Sequence, residues 1–254
     1  MQPLPLPKPP SALVLTAHGS SDPRSGAVTD AIADQIRRLR PSLDVRVAFC
    51  ERTEPNLRDV LAGLDRPAVV TPLLLASAYH ARVDIPAIVA ETGADVVQAD
   101  TLGEDPRLID ALRERLIPVT AAHRSSRVGI LVVAVGASDD AANARTASVA
   151  TELAADGHWA AVRIAFATGP SASAGWGVGE GIATLRDRGA RHVVVAPWFI
   201  APGRITDRVA AVAGVAGATM AAPLAAHPLV TATVLDRFDR AATDRVAASL
   251  GSAR

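Results

Sequence analysis

Two histidines, far apart in the chain, carry most of the visible chemistry. His18 follows the apolar run Ala12–Ala17 and is followed by Gly19-Ser20. His80 comes after Pro72-Leu73-Leu74-Leu75 and precedes Asp84 by four positions. A neutral imidazole is a borderline ligand suited to iron, cobalt, nickel and zinc. It also accepts a proton near neutral pH. Gly19 lets the backbone turn sharply and leaves room for a ligand beside the first ring. Asp84 has two readings: a cap for a helix beginning at Ile85, or a group that orients His80 or a metal-bound species. Glu51 is a further candidate, able to take protons or complete a metal shell, unless it is only a surface partner of Arg52. Ser20 or Ser21 with His80 would instead make a hydrolase, but no Gly-x-Ser-x-Gly pattern surrounds either serine.

The elements that must position these groups read as strands alternating with helices. The apolar run before His18 is a buried strand of a parallel sheet. A helix is predicted over 26–39, a strand over 45–49, a helix over 55–64 and a strand over 68–75, with a loop over 76–81. A helix from Ile85, a strand over 96–99 and a helix over 105–116 follow. This alternation implies a parallel sheet covered on both faces. Ligands in such sheets bind beyond the carboxyl ends of the strands. His18, Glu51 and His80 all fall on that rim.

The pattern then begins again. Residues 118–127 (PVTAAHRSSR) read as a linker. Strands over 128–135, 161–166 and 192–200 alternate with helices to about 155, over 179–188 and from about Thr206, and a last helix spans 228–248. Leu224-Ala225-Ala226-His227-Pro228 repeats the character of Leu102-Gly103-Glu104-Asp105-Pro106. The expected organisation is a flexible proline-rich arm over 1–10, an α/β lobe over 11–117, the linker, and a second α/β lobe over 128–254 that is a degenerate copy of the first.

Composition narrows the function classes. The chain has 254 residues and a 49% hydrophobic fraction, so it can bury real cores. Its 26 basic and 26 acidic residues give no net charge, which argues against nucleic acid as the main partner. The single cysteine, Cys50, can form neither an intramolecular disulfide nor a cysteine-spaced zinc site. No apolar run approaches the roughly 18 residues of a membrane span. A cytoplasmic protein is expected.

Taken together, the chain resembles the sirohydrochlorin chelatases, in their long form with duplicated lobes. These are a branch of the class II chelatases that includes the cobalt- and iron-inserting enzymes of cobalamin and siroheme synthesis. The resemblance rests on His18-Gly19-Ser20 after its strand and on Pro72-Leu73-Leu74-Leu75 leading to His80 and Asp84-Ile85-Pro86. Phe49-Cys50-Glu51 with Pro55, and Leu102-Gly103 with Pro106, also fit. It covers nearly the whole chain beyond the arm.

The resemblance implies insertion of a divalent metal, Fe2+ or Co2+ as substrate, into metal-free sirohydrochlorin, without ATP and without an organic cofactor. Iron is favoured at the level of the family. His18 and His80 match its two active-site histidines, which would bind the metal and accept the displaced pyrrole protons. The second lobe departs from the pattern. Val135 stands where the first has His18, and Arg204 and Asp207 stand near the places of His80 and Asp84, with the spacing shorter by one. One site per chain follows, in the first lobe. Ser20, Arg82, Arg204 and Arg208 are candidate contacts to the substrate, whose carboxylates suit arginine. Each arginine has the alternative of being an exposed solubilising charge. The duplication favours a monomer. A non-catalytic tetrapyrrole or metal carrier on the same scaffold is the competing reading.

Overall fold

The structure, a computed structural model, describes residues 10–76, 80–123, 127–169 and 177–251, with only the backbone described at His80 and residue 251. The proline arm lies outside the described residues apart from Pro10, which is buried.

In the first repeat the elements run β1 (Ala12–Ala17), α1 (Pro23–Leu39), β2 (Asp44–Phe49), α2 (Leu57–Ala62), β3 (Ala68–Pro72), a π-helical turn (His80–Asp84), α3 (Ile85–Thr92), β4 (Val96–Gln98) and α4 (Pro106–Thr120). The second repeat runs β5 (Val128–Ala134), α5 (Asp140–Ala154), β6 (Ala161–Phe166), α6 (Val178–Asp187), β7 (His192–Pro197), α7 (Arg204–Val215), β8 (Thr219–Met220) and α8 (Pro228–Gly251). The strands form two parallel sheets, ordered β2-β1-β3-β4 and β6-β5-β7-β8. β1, β3 and β5 are buried along their whole length, as their largely apolar content suits a sheet covered on both faces.

The repeat is visible in the backbone hydrogen bonds. Cys50 N–H donates to Ala17 O, and Glu51 N–H to His18 O; likewise Ala167 donates to Ala134 O, and Thr168 to Val135 O. Leu102 N–H donates to Leu74 O as Leu224 donates to Phe199 O. Asp22 and Asp139 cap α1 and α5, each accepting from the amide two residues on.

Several expectations need correction. α1 starts at Pro23, not residue 26, because Asp22 caps it and proline suits the first turn. Asp84 makes no capping hydrogen bond: it is itself αR and ends a π-helical turn, where a loop was expected up to residue 81. α4 carries Pro118 in its interior and continues to Thr120, so the expected linker begins inside a helix. A proline one turn from a helix end removes only one ladder hydrogen bond. The short strand β8 was not anticipated.

The chain also divides differently from its repeat. One compact unit comprises residues up to Leu102 together with those from Thr231 onward; the other spans Gly103–Val230. The closing helix of each repeat thus belongs to the unit that contains the other repeat's sheet. In the second unit, α4 sends Arg115 to Leu224 O at 2.9 Å. In the first, α8 sends Arg237 to Thr101 O at 3.0 Å and Leu102 O at 2.9 Å. Thr231 Oγ1 also donates to Gln35 Oε1 of α1 at 2.6 Å.

Candidate active site

The order β2-β1-β3-β4 contains a topological switch. From β1 the chain goes first to one neighbour, β2, and then to the other, β3. At such a point the loops leaving β1 and β3 diverge and open a crevice at the carboxyl ends of the strands. His18 lies on the loop after β1, and His80 opens the π-helical turn that follows the loop after β3. The sheet therefore brings both positions to one rim. A π-helical turn is rare and frequently found at functional sites.

His18 is paired. Its Nε2 lies 3.1 Å from Glu51 Oε1, with the two side chains 40% and 42% exposed. The geometry joins two of the sequence candidates, His18 and Glu51, directly. The alternative reading of Glu51 holds as well, since Arg52 Nε reaches the same oxygen at 3.1 Å. Arg52 adopts a left-handed backbone, φ 60°. Such strain in a non-glycine residue persists only where the surroundings enforce it.

Gly19 makes this pairing possible. Its φ is +96°, and a Cβ there would fall 1.7 Å from the carbonyl oxygen of Glu51. Only a glycine lets the two loops lie this close. Thr53 Oγ1 completes the seam, accepting from Ser20 N–H at 3.0 Å and donating to Ser20 O at 2.9 Å. The hydroxyl oxygen of Ser20 accepts from Asp22 N–H at 3.0 Å. It is thus engaged in shaping the loop, a role that the sequence did not reveal.

Cys50 precedes Glu51 on the same loop, and its N–H donates to Ala17 O. Burial, helped by the carboxylates of Asp84 and Glu51, pushes its thiol up from 9.0 to about 11. It is a neutral thiol at physiological pH. Asp84 is thus near enough to Cys50 to act on its thiol. Among the described residues, no three His, Cys, Asp or Glu side chains converge in a metal-binding cluster. The His80 side chain lies outside that set.

The arginine candidates fall in both units. Arg82 is exposed within the π-helical turn. Arg204 and Arg208, both exposed, lie on α7 in the second unit. Arg208 lines a cleft of about 240 Å³ there, together with Phe166, Ala167, Val178, Ile205 and Val209. This cleft is at the rim of the second sheet, where Phe166-Ala167 occupies the place of Phe49-Cys50. Two further polar groups escaped the sequence reading, Thr53 and Gln98. A lone polar residue ending the apolar strand β4 was the available signal for Gln98.

Comparison with known proteins adds the following. The model of the CbiX family matches residues 12–119 and again 129–241. A sirohydrochlorin ferrochelatase of Priestia megaterium is 28% identical over 212 residues, 78% of this chain and 76% of that protein. A sirohydrochlorin cobaltochelatase of Methanopyrus kandleri is 27% identical over 135 residues, 41% of this chain but 94% of that protein. Among solved structures, the sirohydrochlorin chelatase SirB of Bacillus subtilis subspecies spizizenii, in complex with cobalt, superposes with a TM-score of 0.74. That match covers 92% of this chain and 96% of that chain at 18% identity, and so speaks for the fold.

Proposed function

The chain belongs to the CbiX family, and on that premise we propose that it inserts a divalent metal ion into sirohydrochlorin. Metal and tetrapyrrole are both substrates, and neither ATP nor an organic cofactor takes part. The observation that carries the reading is the His18–Glu51 pair, 3.1 Å apart on the rim of the first sheet.

The reaction replaces two pyrrole N–H protons by one M2+ and releases two protons. His18 and His80 hold the incoming ion through neutral ring nitrogens, since a protonated imidazole cannot ligate. Glu51, in contact with His18, takes up displaced protons and passes them to solvent, as its partly exposed position allows. Asp84, which makes no capping hydrogen bond, supports His80 from the far end of the π-helical turn. Arg82 pairs with the substrate's carboxylates, and the Ser20 hydroxyl proton adds a further contact. One such site, in the first repeat, serves each chain, and the second repeat is a degenerate copy. The favoured metal is Fe2+, giving siroheme, with Co2+ for the cobalamin route as the rival; both kinds of enzyme occur among the relatives. The protein acts as a monomer in the cytoplasm. Among the described residues no helix is long and apolar enough to cross a membrane.

The test is anaerobic incubation of sirohydrochlorin with Fe2+ or Co2+, following the absorption change. Acceleration over the metal-only control supports the reading. No acceleration with any divalent ion, despite tetrapyrrole binding, would favour the carrier.

A further inference from the structure

Beside the π-helical turn stands a glutamine to which nothing above gives a role. Gln98 is the last residue of β4, and its Nε2 donates to the backbone carbonyl of Ala81 at 2.8 Å. The orientation of the amide is not in question, because a carbonyl can only accept. Ala81 is the residue after His80 and lies inside the turn. In a π-helical turn the backbone bonds span one residue more than in an α-helix, which disrupts the regular ladder. A side chain that secures a carbonyl within that turn secures the turn itself. The other amide atom, Gln98 Oε1, is buried with no hydrogen-bond partner among the described residues. A packing residue would not be chosen to leave a buried acceptor idle.

The second repeat supplies the control. In the sheets, Gln98 pairs with Val70 and Met220 pairs with Val195. Backbone hydrogen bonds match Leu73 with Trp198 and Ala99 with Ala221. Met220 therefore holds the place of Gln98. Between those marks the first repeat is three residues longer, 73 to 99 against 198 to 221. A π-helical turn takes up one of those extra residues. In the second repeat, α7 instead starts as a regular α-helix, with Thr206 Oγ1 bonded to the Gly203 N–H. The histidine, the π-helical turn and the amide occur together in one repeat and are absent together from the other.

We propose that Gln98 is a positioning residue for His80: by holding the Ala81 carbonyl it fixes the π-helical turn that presents this histidine to the metal. The inference rests on the reading of His80 as a metal ligand. It gives β4, otherwise a short edge strand, a part in metal capture.

The experiment is a Co2+ titration of the full chain without tetrapyrrole, read by the visible absorption of the bound ion. Gln98→Met, the residue the second repeat accepts at this register, and Gln98→Glu, of equal size, are compared with wild type after circular dichroism confirms folding. Both should bind Co2+ roughly tenfold to a hundredfold more weakly, the range for partners that orient a ligand. Both should show an altered cobalt spectrum. Added to His80→Ala, Gln98→Met should cause no further loss, because it acts through that side chain. Wild-type affinity in both variants overturns the proposal, as does a loss that adds fully to that of His80→Ala. A wild-type chain that binds no Co2+ also overturns it. If cobalt binding behaves as expected but sirohydrochlorin is not metallated, the chelatase reading falls and this inference stands.

Discussion

The rims of the two sheets share one backbone and differ in what it carries. In both repeats a glycine with positive φ, Gly19 or Gly136, follows the first strand and lies against the carbonyl of the loop after the second. In both, the same pair of amide hydrogen bonds ties the loops together. Yet His18, Cys50 and Glu51 of the first are Val135, Ala167 and Thr168 in the second. The loop after the glycine is also anchored differently. Ser20 is held by Thr53, whereas Ala137 exchanges two hydrogen bonds of 2.8 Å with the Asn143 amide. The glycine and the paired amides thus belong to the frame, and the groups proposed for the chemistry are side chains carried on one copy of it.

The sharpest way to break the comparison is to remove the grafted groups alone. His18→Ala and His80→Ala should each cut kcat/KM for metal insertion by more than about 100-fold, beyond the range of groups that merely orient a ligand. Val135→Ala, at the place of His18, should leave the rate within about twofold. Steady-state kinetics with folded variants decides this. Equal losses at His18 and Val135 would mean that the second rim is not degenerate.

The next step is to damage the frame in each repeat. A Cβ at Gly19 meets Glu51 O at 1.7 Å, and one at Gly136 meets Thr168 O at 2.5 Å. Both are backbone atoms that cannot yield without moving a loop. Gly19→Ala and Gly136→Ala should each lose at least about 2 kcal/mol of stability, the scale of enforced backbone strain and overpacking. Gly19→Ala should also abolish activity, because it separates His18 from Glu51. Gly136→Ala should keep the activity of whatever fraction folds. Denaturant melts paired with activity per folded molecule separate the two effects.

How far the sequence revealed this frame depends on the element. The strands were legible because buried parallel strands are unbroken apolar runs, and Gly19, Pro41 and Asp105-Pro106 punctuate the chain around them. His18 and Glu51 could be placed on one rim because each follows a strand of a parallel sheet. The π-helical turn was not legible. Nothing in His-Ala-Arg-Val-Asp marks an extra residue, and Asp84 before Ile85-Pro86 has the composition of an ordinary cap. The mixing of closing helices was equally hidden. Chain order places α4 after β4 but cannot say which sheet its apolar face covers. The polar anchors decide that, and Arg115 and Arg237 reach carbonyls that lie more than a hundred positions away.

Cys50 offers a gentler probe of the first rim. Its thiol is neutral when protonated, and its folded value of about 11 stands above the ordinary 9.0. The folded state therefore holds this proton more tightly than the unfolded chain. Its contribution to stability is complete below about pH 9 and is lost as pH rises through 11. Iodoacetamide should alkylate native protein with a midpoint near pH 11, and urea-unfolded protein with one near 9. Cys50→Ala, which installs the residue of the second repeat, should flatten the alkaline fall in stability between those values. A native midpoint near 9 would mean that burial and the Asp84 and Glu51 carboxylates do not act on this thiol.

The smallest effect lies where the second repeat strays from the frame itself. Gly103 has φ 62° in the first repeat, and its counterpart Ala225 is held at φ 51°. Nothing lies within 4 Å of a Cβ built on Gly103, so a side chain there meets only the backbone preference. The left-handed region costs an alanine about 1–2 kcal/mol relative to its favoured conformations. Glycine gives back roughly 0.5–1 kcal/mol through the greater freedom of its unfolded chain. Ala225→Gly should thus gain about 0.5–1 kcal/mol, a rise of a few degrees at most in a chain this long. Gly103→Ala should lose a similar amount. Opposite shifts of equal size in thermal melts would show that the two turns are the same structural part. A loss at Ala225→Gly would show that the methyl group makes packing contacts that outweigh its strain, and that here the second repeat has built a turn of its own.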